Sequence, residues 1–331
     1  MIEIRFEKEN RQATAYDNNV QIGKCNYSET ETEWNIIHTR VSNLYQGHGI
    51  ARKLVECIQE NALKHNKDVI AECSYAKKVI EKNQKTKEYE FYNKLKDWDF
   101  SKIKYEEECL TKWDMYDILS NCCNSQSKIL DLGTGGGEKV LTKFPDVSEI
   151  LATDFSEEMI KTANDKLKQS NKTNITFRKM DNLNMDTPND YFDVIVARHT
   201  CIDAKQIHKT LKTNGILILR GVDKLDCWEL KKMYGKGQGY NESQPISFRD
   251  YENILEAGFK EVELVPIHVR EYYKSKEDLL ALLVKAPILE DFSGVSDKEQ
   301  MINKIDKYIE MHTTDRGILL IRRYYGITAR K

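Results

Sequence analysis

A chain of 331 residues, 40% apolar and 31% charged, has the material for two ordinary water-compatible domains. Its 53 acidic and 51 basic side chains nearly cancel, so no bulk field draws it to nucleic acid or to an anionic membrane. The opening MIEIRFEKENRQ lacks a signal-peptide core, and the longest clean apolar run, Leu279–Val284, is far short of the roughly 20 residues of a bilayer span; a cytoplasmic protein with no membrane partner is expected.

From residue 2 to 41 the runs RQATAYD, VQIGKCNYS and WNIIHTRV are rich in β-formers and separated by turn residues, which predicts a meander. After Gly49 the period changes: Ile50, Leu54, Ile58 and Ala62, with Ala51 and Val55 beside them, mark one face of a helix ending near His65. VIAEC is a further short strand and AKKVIEK opens a second helix. This α+β unit is expected to occupy residues 1–96. The lysine-rich stretch 77–87 reads as a solvated face or as a contact to an anionic ligand.

Residues 98–127 carry apolar residues at helical spacing without Pro or Gly and are expected as a helical lead-in. Beyond them KILDL, EILATD, NITFRKMD, FDVIVA and GILIL alternate with helical segments, the clearest from Ser156 to Gln169. That alternation predicts an α/β domain over residues 97–331 with a doubly wound, mostly parallel sheet. VELVPIHV and RGILLIRRYYGITARK fit strands added antiparallel at its edge. The eight cysteines form no C-x-x-C pair; reduced, mostly buried thiols and no metal site are expected.

Strand KILDL runs into Asp131-x-Gly133-Thr134-Gly135-x-Gly137. A dinucleotide fingerprint would place its third glycine at position 138, which is Glu138. The pattern resembles instead motif I of class I S-adenosylmethionine-dependent methyltransferases. The resemblance covers residues 97–331 and implies a seven-stranded Rossmann-like domain binding S-adenosylmethionine. It assigns Asp154, next to Phe155, to the ribose hydroxyls, and Asp181 with Asn182 to the adenine. Arg198 joins the cofactor residues from the fourth strand, FDVIVARHT, and His199 is the candidate base if the acceptor must lose a proton. Trp113 is a candidate cofactor wall or a core aromatic. The absent N/D-P-P-Y/F motif disfavours exocyclic base amines, and a small-molecule methyl acceptor is expected.

The earlier turn YQGHGIARKLV matches the Q/R-x-x-G-x-G/A loop of the GNAT acetyltransferase superfamily through Gln46, Gly47, His48, Gly49 and Ala51. With HT-x-V before it and CSY after it, residues 1–92 resemble a very small GNAT subfamily. The likeness implies acetyl-CoA bound through its diphosphate, a fourth strand splayed near Ile37–Val41, and His38 and Cys73 near the acyl end. Together the two resemblances imply a bifunctional chain. Two rivals stand beside it: an N-terminal domain that only binds or docks, and an RNA methyltransferase whose lysine-rich face and Arg322, Arg323, Arg330 and Lys331 hold phosphates.

Overall fold

The computed structural model describes residues 2–65, 67–94, 100–290, 292 and 298–331, with the side chains of 84, 85, 87–94 and 298–301 excepted. It divides into two compact units, Met1–Tyr92 and Asn93–Lys331. The junction expected near Asp97 lies outside the described residues, as do the side chains of Lys85 and Lys87.

The first unit is a five-stranded sheet: β1 (Ile2–Glu7), β2 (Gln12–Asp17), β3 (Val20–Glu29) and β4 (Glu33–Val41) form an antiparallel meander, and β5 (Asp68–Ala71) adds parallel to β4. Asn18 and Asn19 both take positive φ, 47° and 65°. They make the two-residue hairpin that pairs Asp17 with Val20, a turn Asn adopts at little steric cost. Helix α1 (Ile50–Lys64) buries Ile50, Leu54, Val55, Ile58 and Ala62, the stripe the sequence marks, with α2 (Ser74–Lys94) adding Ala76, Val79 and Ile80 to the same core. Phe6, Tyr27 and Trp34 stack there, Tyr27 on Trp34 at 4.3 Å between centroids. Pairing of β4 with β5 stops at Ile36–Ala71. From Ile37 to Val41 no strand among the described residues pairs with the β4 edge on that side, as the splay expected for this segment requires.

The second unit opens with β6 (Tyr105–Cys109) and α3 (Met115–Cys122). It continues through β7 (Lys128–Leu132), α4 (Glu138–Lys143), β8 (Glu149–Asp154), α5 (Glu157–Lys168), β9 (Ile175–Lys179), β10 (Phe192–Arg198), α6 (Ala204–Thr210) and β11 (Leu211–Val222). Helices α7 (Trp228–Tyr234) and α8 (Ile246–Glu256), β12 (Lys260–Tyr273), α9 (Lys276–Lys285), α10 (Lys298–His312), β13 (Thr313–Thr314) and β14 (Gly317–Arg330) complete it. Strand order is β6-β12-β14-β11-β10-β7-β8-β9, with β7 through β11 parallel and β14 antiparallel between β11 and β12. These include the seven expected strands; β6 and the two-residue β13 are additional.

The helical lead-in is therefore half wrong. Residues 105–109 form an edge strand laddered to β12 from Tyr105–Tyr273 to Cys109–Val269. Glu106 and Glu108 meet Lys274, Arg270 and Arg316 across that edge. Short apolar spacing cannot separate a strand from a helix when cross-strand partners decide the outcome. Helix α3 does form, capped by the Asp114 carboxylate, which accepts the Tyr116 and Asp117 N–H groups at 2.7 and 3.1 Å.

Ile129, Ile150, Val194, Val196 and Ile218 pack on one face of the sheet with residues of α3–α5; Leu130, Leu132, Ile195, Ala197, Leu217 and Leu219 pack on the other with α6 and α8. From β7 the order runs outward through β8 and β9 on one side and through β10 and β11 on the other. That reversal opens a crevice at the carboxyl ends of β7 and β10. Of the cysteines, none of them in a disulfide, only Cys25 and Cys227 are fully buried, and Cys109 and Cys201 are exposed. The expectation of mostly buried thiols fails at the other positions. Among the described residues no cluster of metal-ligating side chains occurs, and no helix is long and apolar enough to cross a membrane.

Candidate active sites

The glycine loop after β7 is folded back onto β8. Gly133 and Thr134 donate their N–H groups to the Thr153 carbonyl at 2.9 and 2.8 Å, Gly135 donates to Asp154 Oδ2 at 2.9 Å, and Gly137 donates to the Thr134 carbonyl at 3.3 Å. Gly133, Gly135 and Gly137 have φ of 76°, 58° and 77°, the left-handed region that suits glycine. Space adds a second reason: a Cβ on Gly133 would lie 2.7 Å from Thr200 Cβ, and one on Gly137 2.7 Å from Phe177 Cζ.

Asp154 is only 8% exposed. Its second oxygen accepts the Ser156 N–H at 2.9 Å, so the carboxylate clasps the loop and the start of α5 before any ligand arrives. Burial raises its pKa, against the pull of the Ser156, Gly135 and Phe155 N–H groups. Asp131, on β7, is driven by burial up to about 7, opposed by the nearby Thr134 hydroxyl and the Arg198 guanidinium. That hydroxyl favours the ionised Asp131 by proximity, yet Thr134 Oγ1 makes no hydrogen bond of proper geometry.

Around this loop, polar atoms are buried without partners: Thr134 Oγ1, Asn182 Oδ1 and Arg198 Nε. Such atoms are costly unless something else satisfies them. Asn182 Nδ2 donates to Thr200 Oγ1 at 2.9 Å, which aims the amide and leaves its oxygen as an acceptor. Asp181 does not close β9, which ends at Lys179. It is exposed in the following turn, where its carboxylate accepts the Leu183 N–H at 2.9 Å.

His199 departs from expectation. Its backbone is left-handed, φ 52°, and its N–H donates to the Arg220 carbonyl at 2.8 Å. The ring stacks on Tyr324 at 5.1 Å and 12°. The residue is exposed. Crowding first, then repulsion from Arg198, Arg220 and Arg322, holds its pKa well below the ordinary value. The imidazole's pKa thus lies below the near-neutral value expected of it.

The turn before α1 is finished differently. Gln46, Gly47, His48 and Gly49 are all exposed. Gly47 and Gly49 have φ of 81° and 74°, and a Cβ on either would meet nothing within 4 Å. Among the described residues, the N–H groups of Gly47, His48 and Gly49 reach no protein acceptor; His48 Nδ1 lies 2.9 Å from the Gln46 carbonyl. Ala51 follows in the first turn of α1, whose leading N–H groups have no partner within the helix. Beyond the splay, Cys73 Sγ lies 3.6 Å from Thr39 Oγ1, and Cys25 Sγ lies 3.2 Å from the same hydroxyl. Burial pushes the Cys73 thiol up, but the Ala76 N–H, the Thr39 hydroxyl and the Tyr75 N–H bring it below its usual value. His38 is exposed and adjacent to Thr39 on an extended strand, so its side chain leaves by the opposite face. Thr39, not His38, is the neighbour of Cys73.

Residues 11–89 match the family described as GCN5-related N-acetyl-transferase, and residues 129–215 match a family described as methyltransferase domain. The chain carries a methyltransferase domain behind a GNAT-like domain. The methyltransferase domain is 26% identical over 90 residues to the uncharacterized methyltransferase YcgJ of Bacillus subtilis (strain 168), covering 27% of this chain and 36% of that one. The chain thus spans about a third of that relative. It is 29% identical over 181 residues to carboxy-S-adenosyl-L-methionine synthase of Nautilia profundicola, covering 45% of this chain and 76% of the relative. It is 27% identical over 176 residues to malonyl-[acyl-carrier protein] O-methyltransferase of Paenibacillus sp., covering 47% and 63%. Among solved structures, the fold aligns with YcgJ of Bacillus subtilis at TM-score 0.46 and 15% identity, covering 66% of this chain and 97% of that one. Phosphoethanolamine N-methyltransferase 2 of Haemonchus contortus aligns at 0.42 and 15%, covering 66% and 52%.

Several residues of the methyltransferase domain's crevice were not singled out as site residues from the sequence: Thr200, which meets Gly133 and Asn182; Tyr116 on α3; and Arg220 and Tyr324. Arg220 sits over the Tyr324 ring at 4.4 Å. A lone arginine closing the apolar run GILILR was the available signal. Trp113 is half-buried and packs against the sheet beside Gly326, where a Cβ would lie 2.4 Å from its Cε2. Of the basic tail, Arg322 is buried with Asp226 at 3.0 Å and Glu271 at 3.1 Å, while at the surface Arg330 pairs with Glu261 at 3.1 Å and Lys331 with Asp190 at 2.7 Å.

Proposed function

We propose that the methyltransferase domain binds S-adenosylmethionine and transfers its methyl group to a small-molecule acceptor, and that the GNAT-like domain binds acetyl-CoA. The observation that carries the first part is where the N–H groups of the glycine loop go. Those of Gly133, Thr134, Gly135 and Gly137 are consumed inside the protein. A pyrophosphate-binding loop needs such groups free. The loop fits a ligand held by side chains around it, and the unpaired Thr134 Oγ1 and Asn182 Oδ1 are those side chains.

Asn182 Oδ1 is an acceptor suited to the adenine amino group, and the remaining lone pairs of Asp154 are suited to ribose hydroxyls. When bound, S-adenosylmethionine supplies a methyl carbon on a sulfonium, open to in-line displacement. The protein's contribution is then placement of the acceptor and exclusion of water. His199 orients the crevice floor through its stack on Tyr324 rather than serving as a strong base. Calorimetric titration with S-adenosylmethionine, S-adenosylhomocysteine and NADH tests the reading; tight NADH binding with neither of the others would overturn it.

For the GNAT-like domain the support runs the other way. The N–H groups of Gly47, His48 and Gly49 are exposed and unspent, as a diphosphate of acetyl-CoA requires. The opposed faces of His38 and Cys73 favour a domain that binds acetyl-CoA without a paired acid–base centre. Acetyl-CoA consumption by the intact protein, measured against a Cys73→Ala variant, decides whether the thiol serves transfer.

A further inference from the structure

Arg198 and Arg220 are register partners on the parallel strands β10 and β11, which puts their Cα atoms at about 4.8 Å. Both follow the alternation of Val194, Val196 and Ile218, so both side chains rise on the sheet face covered by α3 and α4. Like charges at neighbouring positions of a sheet repel. Nature usually answers such a pair with carboxylates, and on the next strand it has: Arg322 lies within 3.0–3.1 Å of Asp226 and Glu271. Arg198 and Arg220 receive no such answer. Among the described residues neither has an acid within the 4.0 Å of an ion pair. Arg198 Nε is buried with no partner, and Arg220 has only the face of Tyr324 at 4.4 Å.

The surroundings deepen the deficit. Lys139 on α4 feels both guanidiniums, and burial with their repulsion lowers its pKa. Asp131 lies on the same side but is held near neutrality by its own burial, so it discharges the pair only in part. Glu107 acts on Arg220 from beyond ion-pair distance. Tyr116 closes the spot from α3; burial raises its phenol to about 12 against the pull of both arginines.

We propose that Arg198 and Arg220 form a two-guanidinium site for a carboxylate or phosphate carried by the methyl acceptor. The inference rests on the methyl-transfer reading above, and charge counting separates it from simple cofactor binding. S-adenosylmethionine brings one carboxylate against an ammonium and a sulfonium, a net positive ligand. Placed beside three cationic side chains, it leaves them still short of negative charge. The missing anion must come with the second substrate. Location agrees: Asp154 and Asn182 lie on the β8–β9 side of the glycine loop, whereas the arginines lie on β10 and β11, across the crevice. A planar guanidinium pair also suits bidentate contact with a carboxylate or phosphate.

The test is calorimetric titration at fixed ionic strength with two probes, succinate and inorganic phosphate, on the full chain with and without S-adenosylhomocysteine. Wild type is expected to bind at least one probe saturably. Arg220→Gln and Arg198→Gln should weaken that binding at least tenfold, Arg220→Lys less, and the surface variant Lys8→Gln not at all. S-adenosylhomocysteine affinity of Arg220→Gln should stay within threefold of wild type. The ratio of the two probe affinities says whether carboxylate or phosphate is the better fit. Equal probe binding by wild type and both glutamine variants, or none by wild type, would overturn the site. So would a tenfold loss of S-adenosylhomocysteine affinity in Arg220→Gln with probe binding unchanged, which would give the pair to the cofactor. If wild type fails to bind S-adenosylhomocysteine while the probes still bind and the variants still lose them, the anion site stands and the methyl-transfer reading falls. Circular dichroism checks folding, and Arg220→Lys supplies the comparison should a glutamine variant unfold.

Discussion

Two glycine turns of this chain join a strand or its continuation to a helix, and their N–H groups meet opposite fates. Around Gly133–Gly137 the main chain is tied to the end of β8 and to Asp154. Around Gly47–Gly49 it stands in solvent with no protein acceptor among the described residues. The first loop is therefore rigid in advance and recognises its ligand through the side chains it displays. The second leaves its main chain to be satisfied by the ligand itself, as an anion does best. The unpaired buried atoms follow the same division. In the methyltransferase domain they surround the loop, whereas in the GNAT-like domain they are Tyr27 OH and Trp34 Nε1. Those belong to an aromatic stack beside the start of β4, away from the turn that follows its end.

The largest expected effect breaks the first loop alone. Asp154→Ala removes the acceptor of the Gly135 and Ser156 N–H groups together with the proposed ribose contact. Bonds to a charged group are worth about 1.5–3 kcal/mol each, so two of them correspond to a loss of about 100-fold or more in S-adenosylmethionine affinity at ~1.4 kcal/mol per decade. Acetyl-CoA binding should not change. A two-by-two titration of both ligands against wild type and the variant checks this; an equal loss of both ligands in a folded variant would mean the two loops do not act separately.

Breaking the second loop should cost less. Gly49→Val puts a β-branched residue at φ 74°, a genuine outlier for such a side chain. Strain of this kind runs to about 1–3 kcal/mol; the free turn escapes it by leaving this conformation, which acetyl-CoA must then restore, so acetyl-CoA affinity should fall about tenfold while S-adenosylhomocysteine binding holds. Equal acetyl-CoA affinities for wild type and variant would make the turn purely structural.

How far the chain could be read in advance divides along a similar line. Strands β7 to β11, the α1 stripe, both glycine loops and Asp154 were legible because each is written in local pattern: period, cap, or spacing from a glycine. What was not legible depends on partners distant in sequence. Strand β6 exists because β12 offers it a ladder and cations for its glutamates. Arg198 and Arg220 become a pair only once β11 lies in register beside β10. His199 was placed at the correct strand end, but its chemistry depends on three arginines, two of them from other strands. The separation of His38 from Cys73 follows from which face of β4 each neighbour of Thr39 occupies.

Asp131 allows a finer comparison, since the GNAT-like turn has no buried acid beside it. Its pKa of about 7 exceeds the unfolded value of about 3.9. The folded protein thus binds more protons than the unfolded chain between those values, and this group's contribution to stability falls as pH rises from about 4 to about 7. A cationic cofactor favours the ionised form. Affinity for S-adenosylmethionine should therefore rise by up to about tenfold between pH 6 and 8, then level off. Titration across that range reads the slope, and Asp131→Asn should flatten it. A slope unchanged in the variant would assign the proton to another group.

The smallest expected effect concerns His199, whose linkage has the opposite sign. Its folded pKa lies well below the ordinary value of about 6.5. Below pH 6.5 the unfolded chain takes up a proton that the folded crevice resists, so His199 lowers stability as pH falls and contributes nothing above about pH 7. His199→Phe keeps an aromatic ring to stack on Tyr324 and removes the titration. Its melting temperature relative to wild type should be flat from pH 7 to 8 and climb as pH falls below about 6.5. Affinity for S-adenosylhomocysteine at pH 7.5 should remain within about threefold, because an uncharged ring is exchanged for another. Thermal unfolding of both proteins at four pH values between 5 and 8 measures the first, and calorimetry the second. A difference that is constant with pH would show that His199 titrates alike in folded and unfolded chains, and the three surrounding arginines would then be less crowded upon its ring than their placement requires.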